Sequence, residues 1–305
     1  MVKADKNDPR WKQNGGIYLS RTYKTKRADQ SLRIVALDVR YSKDPWHVPK
    51  LSGDMLGEEQ WAWLEKTLCA DRSPRVNIIV SGLQILPENR GAGEAWIKFP
   101  NARQRLFSLL SKCQVRAPVL VSGDVHMAEM FEATCSSNTA NTQKSTLVEV
   151  TSSGLTHSWA TRAPGWSGEI PAVNFFLKQL MVVAQTIMPW NYRSNRARGA
   201  PSQGAYFLGL NFAEIDVDFD NEKVQIDVVG ADNKPVLSQS WTFQELDMVY
   251  DANGQVACGP RRGEESMVQL MLARAVVVSV FGLIPISLAL YLPYRFLKTI
   301  FRLLF

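Results

Sequence analysis

Asp124 and His126 stand two positions apart in the run Ala117-Pro118-Val119-Leu120-Val121-Ser122-Gly123-Asp124-Val125-His126-Met127-Ala128-Glu129-Met130. A carboxylate oxygen and an imidazole nitrogen at that spacing suit a first-row divalent or trivalent metal ion. The other reading is a surface turn in which Asp124 caps a following helix. Local chemistry alone does not choose between the two. His157 lies in a Gly/Ser-rich loop, Ser152-Ser153-Gly154-Leu155-Thr156-His157-Ser158-Trp159. It reads either as a ligand or substrate contact or as an ordinary polar loop residue. Arg193, Arg196 and Arg198 form the one local basic cluster. A cluster of that size is a solvated loop or a contact for phosphate or anionic lipid.

Something must position these side chains. Pro118 to Val121 is a short, mostly β-branched apolar run, which reads as a buried strand. Gly123 lets the backbone turn at its end. Arg33 to Arg40 and Val76 to Ser81 read as two earlier strands, with an amphipathic helix over Glu58 to Leu68 between them. Trp61, Leu64 and Leu68 mark that helix's apolar face. A second helix is expected over Asn101 to Lys112, with Asn101 as its N-cap. Strand, helix, strand, helix, strand implies right-handed crossovers and a largely parallel sheet. In such sheets ligands collect at the carboxyl ends of the strands. Asp38, Arg40, Gln84, Asp124 and His126 would then approach one crevice.

Gly16 to Thr25 reads as an edge strand and Leu147 to Thr151 as another short strand. Pro171 to Met188 reads as a long apolar helix, packed on the core or lying on a membrane surface. After Pro201 the pattern changes: Tyr206 to Phe212, Glu214 to Phe219, Lys223 to Val229 and Val236 to Phe243 read as an antiparallel meander. Asp220-Asn221 and Asp232-Asn233 mark its turns. Asp216, Asp218 and Asp220 are expected to face solvent.

The chain's 305 residues carry a formal net charge of +6 and no nucleic-acid motif, so nucleic acid is not expected as a dedicated partner. No Gly-rich phosphate loop follows any strand, which argues against a nucleotide-binding protein. Met1 to Arg27 has no apolar core and is not a signal peptide. Cys69, Cys113, Cys135 and Cys258 show no paired two-residue spacing; Cys69 and Cys113 read as small buried hydrophobes, with disulfides left open. Ala275 to Leu292 is eighteen residues without a charge, the lower limit for a membrane-spanning helix. Arg295, Lys298 and Arg302 follow in a basic amphipathic tail. The expected organisation is a charged segment over 1–15, a globular domain over 16–250, a linker over 251–266, and a transmembrane helix with its tail over 267–305. The expected location is a membrane, by a single-pass C-terminal anchor, with the globular part leaning lumenal or extracellular.

Six stretches carry a resemblance: Leu37-Asp38-Val39-Arg40, Glu59 to Leu64, Ser81-Gly82-Leu83-Gln84, Ser122 to Glu129, Thr151 to Leu155, and Leu210-Asn211-Phe212. Their order and spacing resemble the C-terminal half of PhoD-like alkaline phosphatases, a branch of the calcineurin-like metallophosphoesterases. The Gly-Asp-x-His-x-x-Glu and Leu-Asp-x-Arg stretches are the specific parts. The resemblance implies an α/β fold, a partial α/β/β/α sandwich here followed by the transmembrane helix. It implies hydrolysis of phosphomonoesters or phosphodiesters with divalent or mixed metal ions (Ca, Fe, Mn or Zn). It implies Asp124 and His126 as metal ligands, His126 and His157 as catalytic residues, and Arg40 and Gln84 as substrate contacts. Arg40 either pairs with phosphate as a bidentate donor or locks the strand end with Asp38. The family's early ligands have no counterpart in Met1 to Gly15. The chain is therefore expected to be part of a longer, membrane-anchored phosphoesterase, with an incomplete site and weak or no turnover alone. The alternative is an inactive, membrane-tethered phosphatase-like binding or scaffold module.

Overall fold

Runs of β-branched and apolar residues with no polar alternation need cover on both faces, and three of them form the centre of the main sheet. The computed structural model describes residues 15–27, 30–45, 53–88, 94–137, 144–161, 171–188, 191–202, 204–261, 266–283 and 291–295. Strands β2 (Ser31–Ala36), β3 (Val76–Val80), β4 (Pro118–Ser122) and β6 (Lys144–Ser152) pair in parallel in that order. Helix α1 (Glu58–Ala70) links β2 to β3, and α2 (Pro100–Lys112) links β3 to β4. The strand–helix alternation expected from the sequence is thus present. At one edge β1 (Leu19–Lys24) pairs antiparallel with β2. At the other, β5 (Ala128–Ser137) runs antiparallel to β6, and β11 (Val256–Pro260) pairs with β5. The two-residue strand β7 (Tyr206–Phe207) also pairs with β5, which makes eight strands in this sheet.

A second sheet holds β8 (Asn211–Asp218), β9 (Lys223–Gly230) and β10 (Pro235–Thr242) as an antiparallel meander, and the short helix α4 (Phe243–Leu246) follows it. Two cores result. Trp61, Leu64 and Leu68 of α1 and Leu106, Phe107 and Leu110 of α2 bury against one face of the main sheet. Val76, Ile78, Val119, Val148 and Val150 on the other face pack with Val224, Ile226, Val228, Leu237 and Trp241 of the second sheet.

Several expectations are corrected. Asn101 is not the N-cap of α2: Phe99 holds that position and Pro100 opens the helix, where its fixed φ suits N1 and its missing N–H costs nothing. The strands expected over Tyr206–Phe212 and Glu214–Phe219 are redistributed. Tyr206 and Phe207 leave for the main sheet, and Asn211 to Asp218 form one unbroken strand. Val256–Pro260, inside the stretch read as a linker, pairs with β5 as an edge strand. The four cysteines form two disulfides, Cys69–Cys113 and Cys135–Cys258. The first joins α1 to α2 and the second joins β5 to β11.

The transmembrane helix is also corrected, and with it the membrane partner and the single-pass location. Among the described residues no helix is long and apolar enough to cross a membrane. Helix α5 covers Met267–Val278, 12 residues. At ~1.5 Å per residue that is about 18 Å, short of the ~30 Å hydrocarbon thickness. A π-helical turn over Ser279–Leu283 ends its regular winding. Leu270 and Ala273 of α5 are buried, and the helix contacts α3 (Pro171–Ile187). Residues 284–290 of the expected span, and the tail beyond 295, lie outside the described residues. The fold is a mixed α/β fold with a large sheet and, among the described residues, no span.

Candidate active site

The carboxyl ends of β2, β3, β4 and β6 open on one edge of the main sheet. The loop after β2 is fixed first. Asp38 Oδ1 accepts from the backbone N–H groups of Arg40 and Tyr41, both at 2.9 Å, and Oδ2 accepts from Ile17 N at 2.8 Å. Gln60 of α1 grips the same backbone, accepting from Asp38 N at 2.9 Å and donating to Asp38 O at 2.8 Å. Gly16 has φ +116, and a Cβ there would lie 2.7 Å from Asp38 Oδ2, so only glycine lets this segment close on the carboxylate. Asp38 is therefore the lock of this loop, and Arg40 is what the lock presents. The Arg40 guanidinium is 55 % exposed, donates to Asp124 Oδ1 at 3.0 Å and pairs with Glu94. Lys43 Nζ also reaches Glu94, at 3.0 Å.

Burial raises the Asp38 pKa, but the N–H groups of Tyr41, Ile17 and Arg40 together outweigh it and hold the carboxyl below its ordinary 3.8. A group with a depressed folded pKa stabilises above its unfolded value and loses that contribution as pH falls through the folded value. Asp38→Asn is accordingly expected to destabilise the protein at neutral pH, with the gap to the parent narrowing as pH falls below the ordinary carboxylate range. Urea unfolding at pH 7 and at pH 2.5 measures this; an equal gap at both pH values contradicts it.

After β4 the chain turns through two non-glycine residues in the left-handed region, Asp124 at φ 78 and His126 at φ 55. Asp and His tolerate that region better than most side chains, and such conformations concentrate at functional sites. The turn is held from the loop after β6. Ser153 Oγ accepts from His126 N at 3.2 Å, and Trp159 Nε1 donates to Val125 O at 2.8 Å. That loop is pinned in its turn by Asn211: its N–H donates to Gly154 O at 3.0 Å, and its Oδ1 accepts from Ser152 Oγ at 3.0 Å. A Cβ on Gly154 would meet Asn211 Nδ2 at 2.1 Å.

The same loop carries His157 over His126, ring centroids 4.1 Å apart and nearly perpendicular. His157 Nδ1 and the Thr156 hydroxyl lie 3.1 Å apart. The His126 pKa is lowered, by burial first and by neighbouring His157 second, with Asp124 opposing. Its imidazole is thus neutral at pH 7, and its buried Nδ1 has no hydrogen-bond partner among the described residues. The structure brings Arg40, Asp124, His126 and His157 together.

Gln84 lies apart. It is 1 % exposed and donates to Glu129 Oε2 at 2.9 Å and Thr151 Oγ1 at 2.8 Å. It belongs to a buried network in which Arg193 pairs with Glu129, both side chains fully buried, and Glu149 accepts from Ile85 N, Leu86 N and Ser122 Oγ. Sequence reading missed Glu94 and Glu149. Glu149 left a signal: one carboxylate in the apolar run Leu147–Val150 needs a buried purpose. Glu94 left none.

An orphaned neutral imidazole nitrogen beside a carboxylate is a donor pair of the kind a divalent ion takes. Asp124 and His126 fit as two ligands of such an ion. Among the described residues no group of three or more His, Cys, Asp or Glu side chains is arranged to hold one.

The chain matches the PhoD-like phosphatase family model over residues 13–200, more than half its length. Among curated proteins no relative matches. Two solved structures are similar in part. One is PhoD, at 13 % identity and TM-score 0.46, covering 86 % of this chain and 50 % of that one. The other is the purple acid phosphatase PPD1 from yellow lupin (Lupinus luteus) seeds, at 16 % identity and TM-score 0.39, covering 73 % of this chain and 32 % of that one. The chain thus spans about half the length of PhoD and a third of the lupin enzyme.

Proposed function

This chain belongs to the PhoD-like phosphatase family, and on that premise we propose that the Arg40–Asp124–His126–His157 edge binds and hydrolyses phosphate esters with the help of a divalent metal ion. The observation that carries the proposal is His126. It is a neutral imidazole with a buried, unpartnered Nδ1, held in a left-handed turn beside Asp124.

Each side chain then has a task. Arg40 is largely exposed and held by two carboxylates, an arrangement worth little in stability. Its guanidinium is free to exchange those partners for two phosphoryl oxygens as a bidentate donor. Asp124 and His126 would hold the ion, which when bound supplies Lewis acidity to the phosphoryl group and the attacking water. His157, edge-on against His126 at 4.1 Å, would give a proton to the leaving oxygen. Ser153 and Trp159 keep the His126 turn in place.

The test is release of nitrophenol from p-nitrophenyl phosphate and bis(p-nitrophenyl) phosphate in the presence of Ca, Fe, Mn or Zn ions. In keeping with a site for which two ligands are proposed, we expect weak turnover of one ester, falling at least ~10-fold on chelation with EDTA and restored by metal. No release from either ester with any of the four ions sinks the proposal. An ester that binds uncleaved would instead mark an inactive phosphate-binding relative, the reading favoured by the double engagement of Arg40 with Glu94 and Asp124.

A further inference from the structure

Away from this edge, the segment that carries the basic cluster lies along β10. Arg198 and Ser238 exchange backbone hydrogen bonds, Arg198 N to Ser238 O at 2.8 Å and Ser238 N to Arg198 O at 3.0 Å. That exchange fixes where the Arg198 side chain starts. Between the segment and the second sheet is a cavity of about 340 Å³, lined by Arg196, Arg198, Gln225, Ser238, Gln239 and Ser240. Its volume is at the lower end for small-molecule sites. Among the described residues the lining holds two guanidinium groups and no carboxylate.

The carboxylates nearby are already engaged. Glu132 accepts from Arg196, from Trp241 Nε1 at 2.8 Å, from Gln239 Nε2 at 2.9 Å and from Ser194 Oγ at 2.9 Å. Asp227 accepts from Gln225 Nε2 at 2.9 Å, and Glu245 is bound into a capping box with Thr242. Arg196 is therefore spoken for, with Glu245 also within 3.6 Å. Arg198 meets no carboxylate among the described residues: it donates to Ser238 Oγ at 3.5 Å.

Ser238 supplies the second observation. It is 7 % exposed, and its hydroxyl oxygen accepts from Gln225 Nε2 at 2.7 Å as well as from Arg198. A hydroxyl has two acceptor sites and one hydrogen. With both acceptor sites filled, Ser238 has its O–H left to donate. An exposed guanidinium and a buried hydroxyl restricted to donating, side by side in a cavity without carboxylates, suit a ligand that only accepts.

We propose that this cavity is a second anion site, which takes a tetrahedral oxyanion of the phosphate type and shares no residue with the Arg40–Asp124–His126–His157 edge. The site stands whether or not the edge hydrolyses esters. Titration calorimetry with inorganic phosphate on the full chain tests it, with sodium chloride at matched ionic strength as the control. Arg198→Gln is expected to weaken phosphate binding ~10-fold or more, the worth of one charge-assisted hydrogen bond. Ser238→Ala should weaken it several-fold, and it serves as the independent variant if Arg198→Gln folds poorly by circular dichroism. These variants are compared in an Arg40→Gln parent, which removes the phosphoryl contact proposed for the edge and leaves the residues lining this cavity untouched. The proposal is overturned if Arg198→Gln and Ser238→Ala bind as the parent does. It is equally overturned if Arg40→Gln alone abolishes the signal, or if chloride reproduces it.

Discussion

His126→Ala is expected to lower phosphate-ester turnover by about 10²-fold or more, since it removes one of the two side chains that would hold the ion and even partners behind such ligands are worth about 10- to 100-fold, with the fold unchanged. The structure gives reasons for both halves. The backbone N–H of His126, which binds Ser153 Oγ, is kept by alanine. The Nδ1 that is lost has no partner among the described residues, so its removal strands none of them. Stability should therefore hold while chemistry fails. His157→Ala should cost less, because His157 Nδ1 faces only the Thr156 hydroxyl at the exposed rim. Turnover and circular dichroism on the same samples decide the matter. A variant with parent turnover defeats the assignment of His126, and one that unfolds defeats the separation of site from scaffold.

The second large effect is expected away from the chemistry. Arg193 and Glu129 are an ion pair with both side chains fully buried. Removing one partner of such a pair leaves a charge without compensation, at about 3–5 kcal/mol, whereas replacing both with apolar groups is often neutral. Arg193→Met should therefore lower the free energy of unfolding by about 3–5 kcal/mol, and adding Glu129→Leu should recover most of the loss. Urea unfolding of the parent, both single variants and the double variant closes the cycle. A cost below ~1 kcal/mol for Arg193→Met would mean that water reaches Glu129 and that the pair is not dry.

These two residues also show where sequence reading stopped. Strands β2, β3 and β4 were legible because sheet interiors covered on both faces need unbroken apolar runs, and those runs ended where the chemistry began. Helices α1 and α2 were legible from leucines at helical spacing. Strand β5 was not. Its sequence, Ala-Glu-Met-Phe-Glu-Ala-Thr-Cys-Ser-Ser, carries Glu129 and Glu132 at fully buried positions, so the carboxylates concealed a core strand as a polar stretch. Their counter-charges, Arg193 and Arg196, lie more than 60 residues later, beyond any local pattern. Gln84 illustrates the reverse error. Its position after β3 suggested the crevice, but the side chain turns inward to Glu129 and Thr151. The apolar C-terminal run was read by composition alone. Composition does not register that the helix begins at Met267, behind a Ser266 cap, and loses its regular winding at Ser279.

The bond between Cys135 and Cys258 spans 123 residues of chain. A protease that cuts once anywhere between them produces two polypeptides that remain one molecule. The piece carrying β11 would stay tethered to β5, so β5 would still be covered by β11 and not exposed to edge-to-edge pairing with a second molecule. A cut between residues 114 and 134 falls outside both bridged loops, and it would release the N-terminal strands and helices from everything after them. On a gel without reductant the first kind of nick is invisible and the second is not. A preparation that runs at full length only until thiol is added has been cleaved within a bridged loop, and such a chain can still present the Asp124–His126 turn.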